Sequence, residues 1–400
     1  MENASKSNQL NNVYEELPFR VFKLRRRWFH YECLFGKTNI VCKNEVKYCF
    51  CEENNNYEST VVTQSFPMLL EILRFKVHNT ENGYCIPQSY YNDCESKMEC
   101  DQFVNDDSIL NIVTELEKEF GTKYNVVLDI EIYVGKKITG NICKQRNVKI
   151  NLTVVDNKKF ESLYKVNNVK KCISYSIIPS IKKFFQEIEL SKKISICKIK
   201  HDVQFSRLAT VQLLQLFVKL FYADNIFSKG SILSIQDIGS KKIGSIDLIS
   251  YPYSHNIFDS DGIQCRKKYL VQQGVVKNIL SNKLYSRMLG TDDMGNADLF
   301  DMNKIMHQRL VLRVNEVIPK SEGIVISRCT KIGILENDSV RVSFLGNYHE
   351  QHIVCSCKLN LIEFFKNARV YDFLFEDEEN VLLQNIVISS AEIEKVFSEI

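Results

Sequence analysis

With 400 residues, 44% of them hydrophobic, the chain exceeds what one core usually supports and predicts two globular units. Its 52 basic and 49 acidic side chains leave a formal charge of +3, which excludes a whole-molecule field steering it onto nucleic acid or an anionic membrane. No stretch reaches the ~18 uninterrupted apolar residues of a membrane helix, and the first twenty residues lack the basic-then-apolar pattern of a secretory signal, so the expected location is cytoplasmic. Thiols stay reduced there, and the fourteen cysteines are not expected to form a disulfide framework. Cys33, Cys143, Cys172 and Cys197 lie among apolar or strand-like residues and read as small buried hydrophobes.

Residues 1–16 are polar and read as a flexible terminus, and Phe19 to Cys51 reads as short strands rich in Val, Phe, Tyr and Trp. Pro67 opens an expected helix, and the polar stretch from Asn79 to Asp106 reads as a long loop. Asp106 or Asp107 caps a helix whose apolar residues Ile109, Ile112, Val113, Leu116 and Phe120 keep the 3.6 period up to Gly121. Alternation over Val126–Val134 and again over Val148–Val154 predicts two adjacent antiparallel strands. A helix from about Ile177 to Leu190, burying Ile181, Phe184, Phe185 and Ile188, completes a first domain of residues 17–194.

The second domain, 195–400, begins with the strand-like ISICKIK and a helix over Ala209–Ala223 that is apolar around nearly its whole circumference, as a core element is. Beyond it, glycine-punctuated, β-rich segments such as IGSIDLISY, RLVLRVNEVI, SVRVSFLGNY and HIVCSCKLN predict mostly antiparallel sheet. The expected fold class is α+β: an N-terminal mixed domain, then a curved antiparallel sheet around a buried helix.

Several clusters carry chemistry-bearing residue types. Phe258-Asp259-Ser260-Asp261-Gly262 forms an acidic turn, followed by a strand, a turn at Gly274, a second strand and a helix from about Ser281 to Leu289 ended by Gly290. His349 and His352 with Cys355 and Cys357 bring metal-ligand types together, but three-residue spacing after a strand does not match a His-Glu-x-x-His helix; a turn and strand, or a metal site, are the two readings. Gly239-Ser-Lys-Lys-Ile-Gly244-Ser245 imitates a phosphate loop without the lysine after the second glycine and reads as a surface turn. Arg25-Arg26-Arg27-Trp28 either grips phosphates beside stacked bases or decorates a solvated strand edge, and the near-neutral total charge favours the edge. His255 near the acidic turn has no nucleophile beside it in sequence.

The order of these pieces resembles the TldD/PmbA family of bacterial peptidase subunits. Asp259, Asp261 and Gly262 match its acidic turn; Gly274, Val275 and Lys277 match its strand; Arg287, Leu289, Gly290, Gly295, Asn296 and Ala297 match its helix and Gly-Asn pair. Lys229-Gly230-Ser231, with Gly239 nine residues after Gly230, resembles a further segment. The resemblance is strongest over about residues 196–300. Catalytic TldD-like members carry His-Glu-x-x-x-His on a helix to hold zinc and activate water. Counted back from Lys229-Gly230, those positions fall here on Gln215, Leu216 and Leu220, and Ala209–Phe221 contains no His, Cys, Asp or Glu. The resemblance therefore implies the PmbA (TldE) branch: no catalytic residue and no cofactor in this chain, zinc in a TldD-like partner subunit, and peptides as substrates, in maturation or leader removal of a ribosomally made peptide. It further implies that Asp259, Asp261, Gly262, Arg287, Gly295 and Asn296 shape a cleft or subunit contact. A stand-alone peptide-binding or self-associating protein is the alternative, and a metallohydrolase using the His349–Cys357 cluster is a third reading.

Overall fold

The structure, a computed structural model, describes residues 19–34, 37–54, 57–63, 106–120, 124–137, 143–156, 163–168, 177–252, 259, 263, 265–291, 295–298, 304–307, 309–372, 376–378 and 381–400. The helix expected after Pro67, the loop expected over 79–106, and His255 lie outside them.

The N-terminal half runs β1 (Phe19–Leu34), β2 (Lys37–Asn54), β3 (Tyr57–Thr63), α1 (Asp106–Phe120), β4 (Tyr124–Lys137), β5 (Cys143–Asp156), β6 (Leu163–Asn168) and α2 (Ile177–Leu190). The six strands among its described residues form one antiparallel sheet in the order β3-β2-β1-β4-β5-β6. The expected pairing of the strands around Val126–Val134 and Val148–Val154 is present, with Leu128 opposite Leu152 and Ile132 opposite Val148. Alternation has its usual consequence: Phe29, Tyr31 and Cys33 of β1 and Val126, Leu128 and Ile130 of β4 are buried, while Trp28, His30 and Asp129 are half-exposed. Val113, Leu116 and Phe120 of α1 and Ile181, Phe184 and Phe185 of α2 close over that face.

Two expectations are corrected here. The β1–β2 region is not a set of short strands but a hairpin of 16- and 18-residue strands. Arg25, Arg26 and Arg27 do not sit at a strand edge, because β1 pairs on one side with β2 and on the other with β4 along these residues.

The C-terminal half comprises β7 (Lys192–Ile194), β8 (Asp202–Phe205), α3 (Arg207–Phe217), α4 (Ala223–Phe227), β9 (Ile246–Tyr251), β10 (Lys268–Gln272), β11 (Val275–Val276), α5 (Lys283–Leu289), β12 (Arg309–Val314), β13 (Gly323–Glu336), β14 (Ser339–Tyr348), β15 (Gln351–Asn360), α6 (Leu361–Lys366), β16 (Glu376–Glu378), β17 (Val381–Leu383), β18 (Ile386–Ile388), α7 (Ile393–Val396) and β19 (Phe397–Ser398). One sheet runs β11-β10-β9-β12-β17-β16; another runs β18-β8-β13-β14-β15-β19, with β7 alongside β15. Pairing is mostly antiparallel, with parallel contacts between β8 and β13, β12 and β17, and β7 and β15. The result is a mixed α+β architecture dominated by strands.

The core of this half gathers around α3. Ser206 caps it, its side chain accepting from the Ala209 amide at 3.2 Å. Ala209, Val211, Leu213, Leu214 and Phe217 are fully buried, and Phe217 stacks on Phe365 with ring centroids 4.2 Å apart. The apolar segment is not one continuous helix to Ala223: after Phe217 it tightens into a 3-10 turn (Val218–Phe221) before α4. ISICKIK is likewise a 3-10 turn at Ile196–Lys198 between β7 and β8 rather than a strand. The halves meet where Leu345 of β14 joins the N-terminal core and the Arg328 guanidinium lies 5.2 Å from the centre of the Phe184 ring.

Candidate functional site

The helix on which the resemblance places a zinc motif is built for packing. Gln215 and Leu216 lie on its last turn, half-buried, while Leu220 is fully buried in the 3-10 turn that follows. The Leu220 carbonyl accepts from the Ser231 hydroxyl at 2.8 Å, so even the backbone there is committed. An amide and two aliphatic side chains offer no imidazole ligand and no carboxylate base, so zinc does not fit these three positions. Among the described residues no group of three or more His, Cys, Asp and Glu is arranged to hold a metal ion. The polar work on this helix falls to Gln212, whose Oε1 accepts from the Cys329 amide at 2.7 Å and ties α3 to β13. Nothing local in the sequence separates Gln212 from Gln215; only the partner strand does.

Beyond the end of that apolar segment lies a buried polar cluster. Asp259, 2% exposed, accepts at Oδ1 from the Ile263 amide and at Oδ2 from the Ala297 amide, both at 2.9 Å. It thus joins the acidic turn to the Gly295-Asn296-Ala297 segment across 38 residues. Asn296 exchanges backbone and side-chain hydrogen bonds with Met306, and Gly295 takes a φ of +70°, the left-handed region that glycine enters without Cβ strain. Lys268 of β10, only 3% exposed, donates to the Ile279 carbonyl at 2.8 Å and lies 3.5 Å from Asn296 Oδ1. A buried ammonium held by carbonyl-type acceptors is the arrangement that desolvation demands.

The structure therefore brings Asp259, Gly295 and Asn296 together, with Lys268 as a member that sequence reasoning missed. Asp261 and Gly262 lie outside the described residues. Arg287 stands on the exposed face of α5, a helix capped by Asn282 at its start and by Gly290 at φ +64° at its end. Gly274, in the turn between β10 and β11, has a φ of +75°, and a Cβ there would stand 2.0 Å from the Gly244 carbonyl oxygen. That contact accounts for Gly274, while Gly244, at φ +58°, is needed because a Cβ there would meet the Lys366 carbonyl oxygen at 2.4 Å. The loop that imitates a phosphate cradle is instead clamped by the Gly274 turn, with Ile243 donating to the Gly274 carbonyl at 2.6 Å.

A second pair was invisible in sequence. The Tyr222 hydroxyl lies 2.6 Å from His307 Nδ1 and accepts from the His307 amide at 3.3 Å, linking the end of the α3 segment to the strand-like stretch after Asn296. Burial pushes the Tyr222 hydroxyl well above its ordinary titration range, keeping it neutral beside the imidazole.

The His349–Cys357 cluster is dispersed. His349 and Glu350 are the two turn residues joining β14 to β15, with φ of +45° and +63°, and His352 is the second residue of β15. Cys355 and Cys357 point into the core; burial pushes the Cys355 thiol up to about 12 and the Cys357 thiol well up as well. Neutral thiols facing away from two hairpin-end histidines favour the turn-and-strand reading of this segment.

Residues 198–353 match the family model of the PmbA/TldA metallopeptidase C-terminal domain. Among solved structures the chain is similar to a Thermotoga maritima protein described as a candidate modulator of a DNA gyrase, at 15% identity and a TM-score of 0.62, over 96% of this chain and 98% of that one. It is also similar to TldE from Thermococcus kodakarensis, at 12% identity and a TM-score of 0.61, over 96% and 98% of the two chains. A Bacteroides thetaiotaomicron protein, again described as a candidate modulator of DNA gyrase, gives 12% identity and a TM-score of 0.59 over 97% and 98%. At such identities the structural likeness speaks for the fold, and no curated protein matches the sequence. The match over residues 198–353 makes that segment similar to the PmbA/TldA metallopeptidase C-terminal domain, and the solved structures share the fold of the chain from end to end.

Proposed function

We propose that this chain is a non-catalytic subunit of the TldE (PmbA) branch, pairing in the cytoplasm with a TldD-like subunit that carries the zinc. The pair acts on small or unfolded peptides, in the maturation or leader removal of a ribosomally made peptide. The observation that carries the reading is that the positions where the resemblance places the zinc motif hold a half-buried Gln215 and Leu216 and a fully buried Leu220, with no imidazole or carboxylate among them. In this role Asp259, Gly295 and Asn296 hold the shape of a cleft or subunit contact, together with Asp261, Gly262 and Arg287. Asp259 supports a shaping rather than a catalytic role, because both of its oxygens already accept from backbone amides.

Co-expression with a TldD-like zinc subunit, followed by light scattering and a peptidase assay on an unfolded peptide, tests the proposal. A heteromer whose activity falls when this chain is withheld is the expected result. A chain that stays monomeric beside that subunit, with activity unchanged by its absence, removes the proposal and leaves the stand-alone peptide binder. Metal analysis after purification without chelators tests the autonomous metallohydrolase, which requires stoichiometric metal.

A further inference from the structure

A groove of about 1330 Å³ runs between the C-terminal end of α2 and the open face of the sheet formed by β13, β14 and β15. Its floor is low and hydroxyl-bearing. Ser343 of β14 faces Ser356 of β15 in register, their hydroxyls 2.7 Å apart, and Gly333 lies where a Cβ would meet the Arg341 carbonyl at 3.2 Å. Three cations line it: Lys193 beside β15, Lys331 in register with Ser343, and Arg341 two residues before Ser343 on β14. All three are exposed, and none forms an ion pair among the described residues. Both acidic side chains that line the groove are engaged: the Glu399 carboxylate binds Lys198 at 3.2 Å and accepts from Ser195, and Glu189 has a partner of its own. The groove therefore offers three exposed side-chain cations and hydroxyl donors.

Its volume exceeds that of ordinary small-molecule pockets, which points to a polymer. No aromatic side chain is among the described lining residues, so bases would find no stacking platform of the kind single-strand binders use. Aliphatic side chains do line it, Ile194 and Val354 among them. We infer that this groove binds an extended polypeptide segment rich in carboxylates and aliphatic side chains. The site stands independently of the pairing proposed above, because it lies wholly within one chain.

Fluorescence anisotropy on the full-length chain, with labelled peptides of alternating Glu and Leu, of alternating Lys and Leu, and a single-stranded oligonucleotide, tests the inference. The acidic peptide is expected to bind most tightly, and more weakly as salt is added. Lys331→Glu with Arg341→Glu is expected to weaken it roughly tenfold or more, and Ser356→Trp, which obstructs the floor without changing charge, to weaken it as well. All three positions are at the surface, so thermal midpoints close to wild type are expected, and affinities are compared only between variants that meet that condition. An acidic peptide that binds no better than the basic one, binding that survives both variants, or an oligonucleotide that binds more tightly than the acidic peptide overturns the inference. A monomeric chain that still binds the acidic peptide defeats the pairing alone; a heteromer indifferent to that peptide defeats the groove alone.

Discussion

Asp259 shows how one side chain can hold two distant segments. It is almost wholly buried and accepts from two backbone amides, so truncation leaves both donors without an acceptor. Asp259→Ala is expected to cost about 1–3 kcal/mol or more, read from urea unfolding, and Asp259→Asn less, since it keeps one acceptor. The core thiols give a pH dependence. The Cys355 thiol is raised on folding from an ordinary 9.0 to about 12 by burial, foremost, and by the neighbouring Cys197. A group raised on folding contributes stability that is intact below its unfolded value and is lost as pH climbs through the folded one. Stability is therefore expected to fall between about pH 9 and 12, and Cys355→Val is expected to flatten that fall in denaturant midpoints measured across the range. In native protein a thiol reagent followed by mass spectrometry is expected to label exposed Cys42 and spare Cys355 and Cys357.

At the scale of elements, period-two alternation and the 3.6 period were enough to find β4, β5, α1 and α2, because one face of each is buried against a single core. What escaped the sequence has physical reasons. The β1–β2 hairpin looked like short strands because charged residues interrupt its alternation, yet pairing on both sides of β1 sustains the ladder through them. The break of α3 into a 3-10 turn leaves no mark in a run that is apolar on every side. Of the acidic-turn constellation, Asp259, Gly295 and Asn296 could be picked out as a group through family resemblance, whereas Lys268, Tyr222 and His307 had no local signal; the last two are 85 residues apart. The β14–β15 hairpin carries its own test. A two-residue turn with both φ positive favours Asn-Gly, and His349-Glu350 occupies it at a cost in strain. Replacing His349→Asn and Glu350→Gly together is expected to stabilise the protein by about 1 kcal/mol, read from thermal or urea midpoints. Rebuilding a zinc motif by Gln215→His, Leu216→Glu and Leu220→His is expected to fail: position 220 is fully buried, so the variant loses several kcal/mol and elemental analysis finds no stoichiometric zinc.

At the scale of the molecule, two hydrophobic clusters divide the core among the described residues, one spanning Phe29 to Phe185 with Leu345 added, the other Ile196 to Phe397. Tight β hairpins and strand ladders dominate the first, while the second is closed by pairings of high sequence separation. β8 sits between β13 and β18, and Asp202 at its start accepts from the Ser390 amide across 188 residues. A ribosome delivers the chain from the N-terminus, so β8 emerges long before either neighbour, with both edges open until β13 is made and one edge open until β18 follows. The slow step of synthesis-coupled folding is therefore expected to belong to the C-terminal half. Nascent chains arrested just short of β18 should show protease resistance confined to the N-terminal sheet, and a holdase that shields exposed strand edges should raise the yield of full-length protein by acting in that interval.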